Sequence, residues 1–320
     1  MKRLVLVAAI VGALAFGWFA WGWYGPANGG EKAAFTVPDG ATLTSVAGKL
    51  EDEGFIASGS AFLLRAKILG SGDPVQKGEF EFPAGASAAT ILDTLQHGLT
   101  VRRFVTVPEG LPSIMVYERL MAEPLLTGPI PVPAEGSVLP DTYDFERGET
   151  RVKVLARMQA AMKNYLAEAW SKRKPGIAVS TPQEALTLAA IVEKETGVPS
   201  ERRMVAGLYS NRVKQGMPLQ ADPTIIYPIT KGKPLGRRIR QSEIAAVNGY
   251  NTYTMSGLPN GPITNPGRES IAAVLDPAPT QALYMVANGK GGHVFGNTLA
   301  EHNEKVRKWF AIRKARGELD

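Results

Sequence analysis

The 320-residue chain contains no cysteine. That excludes disulfides, thiolate metal sites, a cysteine nucleophile and a lipid anchor on cysteine. It also suits an oxidising compartment, where a stray thiol is a hazard. Histidine is nearly as scarce: His97, His293 and His302 are the whole set, and none has the spacing of a helical metal-ligand pair. A meeting of His293 and His302 across a hairpin–helix junction would be a hydrogen-bonding one. No G-x-S-x-G is present, GKGGH lacks the Ser/Thr and spacing of a phosphate loop, and no dinucleotide fingerprint occurs. These gaps remove serine hydrolases, kinases and nucleotide enzymes, and neither a metal nor a cofactor is expected. The net charge of +6 is scattered, apart from Arg237, Arg238 and Arg240 and a basic tail over 308–316. Nucleic-acid binders gather their charge into a patch, so no nucleic-acid partner is expected.

Charge is missing altogether from Leu4 to Tyr24, a run long enough to cross a bilayer as a helix. Lys2 and Arg3 precede it, so residues 1–3 are expected in the cytoplasm and the bulk of the chain beyond the inner (plasma) membrane, on a single-pass anchor over 4–24. Trp18, Trp21, Trp23 and Tyr24 are placed as an interfacial aromatic belt. A cleaved signal peptide is the competing reading, and bulky aromatics stand where its small-residue cleavage site belongs.

A glycine-rich linker over 25–32 leads to a small module over 33–100. Its pattern is a strand near 34–38, helices over 42–53 and 60–69, a strand over 77–83 and a third helix over 87–96. Leu43, Val46, Ala47 and Leu50 share one face of the first helix. The element order, with G-x-T-x-x-x-V-A from Gly40 to Ala47, resembles a LysM-like glycan-binding α/β module. A plain spacer fits the same pattern. A larger mixed α+β domain over 101–320 follows, so the expected fold class is α+β throughout.

That domain is organised around Thr181–Asn211. Thr181 and Glu184 have capping-box spacing, and Pro182 suits a first helical position. Leu186 and the run Leu188–Val192 leave little polar face, so the helix is expected in the core, with Gly197 as its stop. Glu193 and Glu195 are thereby driven into the last turn. A carboxylate there faces the negative end of the helix dipole, and burial raises its pKa further. A carboxyl that keeps its proton near neutral pH is what general-acid cleavage of a glycosidic bond needs. The two acids point about 200° apart, so one site uses one of them, and the pattern does not choose. Salt-bridged or solvated acids at a frayed helix end are the plainer alternative. Further on, Ser200 is placed to cap a helix running to Lys214. Asp222-Pro223 reads as a turn, and Tyr250–Gly267 as a long loop dense in amides and aromatics. Ser137–Phe145 reads as an aromatic and acidic turn, and Ala282–Gly296 as a hairpin. An acid at a buried helix end beside amide- and aromatic-rich loops suits a polysaccharide.

IVEKE (Ile191–Glu195), SER…NR (Ser200–Arg212), LQADPT…Y (Leu219–Tyr227), YNTY…GLP…PI.NPG (Tyr250–Gly267) and GKGGH.F…T..EHN (Gly289–Asn303) together resemble the YceG-like, or MltG, endolytic murein transglycosylase family. The resemblance covers essentially the whole chain and is strongest from Thr181 to Phe310. It departs at Asn260, where a second proline is common, and near Arg237–Arg240. What it implies is a membrane-anchored lytic transglycosylase cutting the MurNAc–GlcNAc bond of nascent peptidoglycan to a 1,6-anhydroMurNAc end. The family's catalytic glutamate aligns with Glu195, leaving Glu193 a structural role, paired with a basic neighbour. Gln220, Asp222, Asn251, Tyr253 and Asn303 lie in matching motifs and are the candidate substrate-binding residues. Implied partners are glycan strands and peptidoglycan synthases. An anchored hydrolase and a non-catalytic glycan-binding scaffold are the alternatives.

Overall fold

The computed structural model describes residues 2–26 and 33–317, so most of the expected linker, residues 27–32, lies outside it. The chain divides into two units, one taking in Met1–Arg103 with Asp144–Gly148 and the other Phe104–Tyr143 with Glu149–Asp320. Both mix helices with short antiparallel strands.

The first unit opens with helix α1 (Lys2–Tyr24), long and apolar enough to cross a membrane. Trp18, Trp21 and Tyr24 are exposed, as an interfacial belt requires, but Trp23 is not. Its ring lies 5.6 Å from that of Phe62, inside the unit's core. Trp23 therefore leaves the expected belt: the last turn of α1 already packs on protein. After the undescribed residues come β1 (Ala33–Val37), α2 (Leu43–Asp52), α3 (Gly59–Leu69), β2 (Gly78–Phe82) and α4 (Ala88–His97). Strands β1 and β2 pair antiparallel with Phe35 opposite Phe80, so alternation sends both rings inward. Phe35, Phe55 and Phe82 meet with centroids 5.2–5.8 Å apart, in the edge-on and offset geometries that aromatic quadrupoles favour. Helix α2 begins at Thr42, whose hydroxyl accepts from the Ser45 amide, and it buries Val46, Ala47 and Leu50. Glu79, on the face of β2 opposite Phe80, is still buried, and Arg103 (2.6 Å) and Arg147 (3.1 Å) neutralise it. They hold its pKa below the usual carboxylate value, chiefly through the Arg103 hydrogen bond.

The chain leaves this unit within β3 (Arg103–Thr106), returns within β4 (Thr142–Phe145) and leaves again. Between them lies α5 (Ser113–Ala122), which has no side-chain cap of its own at Pro112. Glu135 supplies one from a distance: its carboxylate accepts from the Ser113 amide at 2.8 Å. The segment 142–145, expected as part of a turn, is a strand.

In the second unit α6 (Arg151–Ser171) packs near α7 (Pro182–Glu195). Helix α7 is the buried helix expected: every residue from Ala185 to Val192 is buried. Thr181 accepts from the Glu184 amide, and Glu184 reaches back to the Ser180 amide at 2.6 Å, one residue before the usual capping-box partner. The helix ends at Thr196 in an extended conformation, without a left-handed glycine, so Gly197 is not its stop. Ser200 is no cap either. It lies inside a 3₁₀ turn, Pro199–Glu201, that runs straight into α8 (Arg202–Lys214). Asp222-Pro223 opens a helix, α9 (Asp222–Thr230), with proline in its first turn where a missing amide costs nothing. The short α10 (Gln241–Ile244), the irregular Tyr250–Gly267 and α11 (Arg268–Leu275) follow. Then β5 (Tyr284–Ala287) and β6 (His293–Gly296) form the expected hairpin, and α12 (Leu299–Ala315) closes the described chain. Helices α7, α8 and α11 share one core with Leu219 and Ala282.

Candidate active site

The C-terminal turn of α7 opens on a cavity of about 320 Å³ within the second unit. Glu195 is in its wall. Helix α8 contributes Leu208, Tyr209 and Arg212; the approach to α9 contributes Leu219, Gln220 and Asp222; Tyr253, Met285 and His302 complete the lining. Tyr209 and Arg212 stand three residues apart, and so share a face of α8 turned toward Glu195.

Burial is what sets the charge state of Glu195. It pushes the carboxyl pKa up from 4.5 to about 7. The Tyr209 hydroxyl donates to the carboxylate and works against the rise, the negative Asp222 adds to it, and the Arg212 cation offsets it in part. Tyr209 is itself 2% exposed, and its pKa is driven well above the ordinary phenol value by burial and by Glu195. It therefore remains a neutral O–H donor.

Arg212 is a buried cation with no salt-bridge partner among the described residues. Its Nε donates to the Leu283 carbonyl at 2.7 Å, and Nη1 to the carbonyls of Pro218 (3.2 Å) and Leu219 (2.7 Å) and to Gln220 Oε1 (3.3 Å). The guanidinium carbon lies 5.4 Å from the centre of the Tyr284 ring. These bonds hold the Pro218–Gln220 backbone against α8. Gln220 adopts φ +55°, a left-handed conformation that costs a non-glycine residue roughly 1 kcal/mol. Its amide bond to Thr252 O at 3.0 Å and the Arg212 contact hold it there. Next to it, Thr224 and Thr252, both fully buried, exchange a hydroxyl bond at 2.8 Å, and Thr252 also accepts from the Ala221 amide. Asp222 is thereby set at the cavity, where the Tyr253 hydroxyl donates to it at 2.6 Å. Burial and that bond raise the Tyr253 pKa, so this phenol also keeps its proton.

His302 stacks on Tyr284 with ring centres 5.2 Å apart. Burial, with Arg212 and Lys305 nearby, lowers its pKa, so it is neutral at physiological pH. It does not meet His293, whose Nδ1 pairs with Glu201 at 2.8 Å.

Of the residues singled out from sequence, Glu195, Gln220, Asp222 and Tyr253 are brought together here. Asn251 and Asn303 are not in the lining. Asn251 is fully buried, and its amide nitrogen donates to the carbonyls of Glu243, Ile244 and Ala246 while its oxygen accepts from the Tyr253 amide. It braces the loop that carries Tyr253. Asn303 is exposed on α12. Glu193 accepts from the Gly267 amide at 2.9 Å, a backbone partner where a basic side chain was expected. Tyr209, Arg212 and His302 went unnamed as site residues. Each lies within a motif that carries the family resemblance, Tyr209 and Arg212 in Ser200–Arg212 and His302 in Gly289–Asn303.

A family model described as the YceG-like family matches residues 35–308. The endolytic murein transglycosylase of Bacillus subtilis (strain 168) is 28% identical over 309 residues, covering 87% of this chain and 84% of its own. The protein of the same name from Streptococcus pneumoniae serotype 2 (strain D39) is 27% identical over 329 residues. That match covers 88% of this chain, which spans only 59% of the pneumococcal protein's length. The crystal structure of a yceG-like protein from Listeria monocytogenes superposes with a TM-score of 0.54 at 26% identity, over 86% of this chain and 98% of that one.

Proposed function

The chain belongs to the YceG-like family, and on that premise we propose that it is an endolytic murein transglycosylase with Glu195 as its acid–base group. The observation that carries the reading is the carboxyl at the end of α7, lifted to about 7 by burial in the wall of an open cavity. Near neutral pH such a group is populated in both of its forms, which suits a residue that must give a proton and then take one.

Glu195 donates its proton to the glycosidic oxygen between N-acetylmuramic acid and N-acetylglucosamine. The C1–O bond breaks with its electron pair going to that oxygen, leaving an oxocarbenium-like C1. The muramoyl C6 hydroxyl then bonds to C1 and returns its proton to the Glu195 carboxylate, giving a 1,6-anhydro end. Water is not consumed, and the nucleophile is already attached to the substrate, so no second carboxylate is required. Tyr209 steadies Glu195 while it is charged. Arg212 and Tyr253 contribute fixed polar groups to the same cavity.

The relatives' names support the substrate class. The apolar α1 supports a single-pass anchor, with the bulk of the chain outside the inner membrane beside nascent glycan and its synthases. The first unit, with its β1-α2-α3-β2 order, serves as a LysM-like glycan-binding module. One observation favours a second reading. Asp222 gives the cavity another carboxylate, and a hydrolase needs a pair. Mass spectrometry of products from purified glycan strands separates the two, because the anhydro end is one water lighter than a reducing end. Glu195→Gln is expected to fold, bind strands and release no anhydromuropeptides. Wild-type release by that variant would refute the acid–base role, and binding with no cleavage by the wild-type protein would favour a scaffold.

A further inference from the structure

Helix α3 reads GSAFLLRAKIL and contains no acid. Its inward side is Gly59, Phe62 and Ala66. Leu64 and Ile68, four residues apart and so on one face, are 54% and 58% exposed, with Arg65 and Lys67 beside them. Single exposed leucines need no explanation. Here the position of the helix supplies one. Arg65 Nε donates to the Phe19 carbonyl of α1 at 3.2 Å, and its guanidinium lies 5.4 Å from the Phe19 ring and 6.0 Å from that of Trp18. Approach is close enough that a Cβ on Gly22 would fall 2.5 Å from Arg65 Nη2. Helix α3 therefore runs beside α1 at the level of Phe19 to Gly22.

That level is inside the stretch a bilayer would occupy. A hydrocarbon core of ~30 Å takes about 20 helical residues, which from Leu4 reaches the neighbourhood of Trp23. Phe19 falls roughly 6 Å short of that boundary at ~1.5 Å per residue. Tilting α1 moves the boundary further along the helix and sets Phe19 deeper. An element fastened at Phe19 cannot stand clear of the membrane.

We propose that the Leu64–Ile68 face of α3 is a second membrane contact, seated in the interfacial layer of the lipid bilayer, with Lys67 directed to lipid phosphates. The inference rests on the anchoring part of the proposed function and on nothing about catalysis. Long basic side chains at this depth keep their stems in apolar surroundings and their charges at the headgroups. A cavity of about 370 Å³ between Trp18, Trp21 and Arg65 gives the interfacial layer room at that point. The first unit is then held against the membrane by two elements, α1 and α3, instead of swinging from α1 as a tether.

The absence of cysteine makes the test direct. Full-length single-cysteine variants Leu64→Cys, Ile68→Cys, Val11→Cys and Asp52→Cys carry a nitroxide in proteoliposomes, and its collisions with oxygen and with a polar nickel chelate are measured by power saturation. Positions 64 and 68 are expected to favour oxygen over nickel severalfold relative to position 52, which is exposed at the end of α2, and position 11 to do so more strongly. If 64 and 68 match 52 while 11 is deep, the proposal fails and the anchor stands. If position 11 is also aqueous, the anchor fails and takes the proposal with it.

Discussion

Replacing Glu195 by glutamine tests the physical basis of the site without any assay of glycan cleavage. In the folded chain burial lifts this carboxyl from 4.5 to about 7. Below pH 4.5 it is protonated whether the chain is folded or unfolded, and it contributes no pH dependence. As pH rises from there to about 7, the unfolded chain releases the proton while the folded chain keeps it, so folding stability falls through that window. Above it the full penalty is present. At ~1.4 kcal/mol per pKa unit, the gap amounts to something on the order of 3 kcal/mol. Glutamine has nearly the same shape, never ionises, and leaves an amide oxygen for the Tyr209 hydroxyl. Glu195→Gln is therefore expected to match the wild type in stability near about pH 4 and to exceed it by ~3 kcal/mol near about pH 8. Equilibrium denaturation of both proteins across that range gives the difference directly. A difference that stays flat with pH, or a variant less stable than wild type at the alkaline end, would refute the claim that burial holds this carboxyl protonated.

Arg212→Met removes a cation that opposes the rise at Glu195, so the basic limb of the pH–kcat/KM profile should move to higher pH while kcat falls; a limb that stays put or moves down contradicts the pairing. Asn251→Ala strips donors from the carbonyls of Glu243, Ile244 and Ala246 and should cost about 1–3 kcal/mol, whereas Asn303→Ala on the exposed face of α12 should stay within ~0.5 kcal/mol; denaturant midpoints compare them, and equal effects would undo the assignment of Asn251 as a brace. Trp23→Ala should cost the first unit's core roughly 3–5 kcal/mol, and Trp21→Ala, 69% exposed in wild type, much less; amide-exchange protection in α3 and α4 reads the contrast, and a comparable loss from both would return Trp23 to the belt.

Local signals were enough for much of this protein. The uncharged run that becomes α1, the cap at Thr181, the apolar stretch of α7 and the β5–β6 hairpin are each written within a few turns of chain. Such patterns act through side-chain spacing, and they survived folding nearly unchanged. Resemblance carried more: it pointed to the motifs that supply Glu195, Gln220, Asp222 and Tyr253, which close on one cavity.

What local patterns left undecided is whatever depends on a partner distant in sequence. Glu193 and Glu195 look alike along the chain. Folding gives the first the Gly267 amide and the second the Tyr209 hydroxyl, because α8 and the end of the Tyr250–Gly267 loop reach α7 on different sides. Asn251 and Tyr253 sit two residues apart in one motif, yet one is sunk under a loop and the other opens on the cavity. Trp23 read as part of the belt until Phe62 claimed it. Helix α5 has no cap of its own and takes one from Glu135. Composition and spacing determined that there would be a buried helix ending in acids. Burial, which is a property of everything packed around a group, lifted the Glu195 carboxyl toward neutral pH.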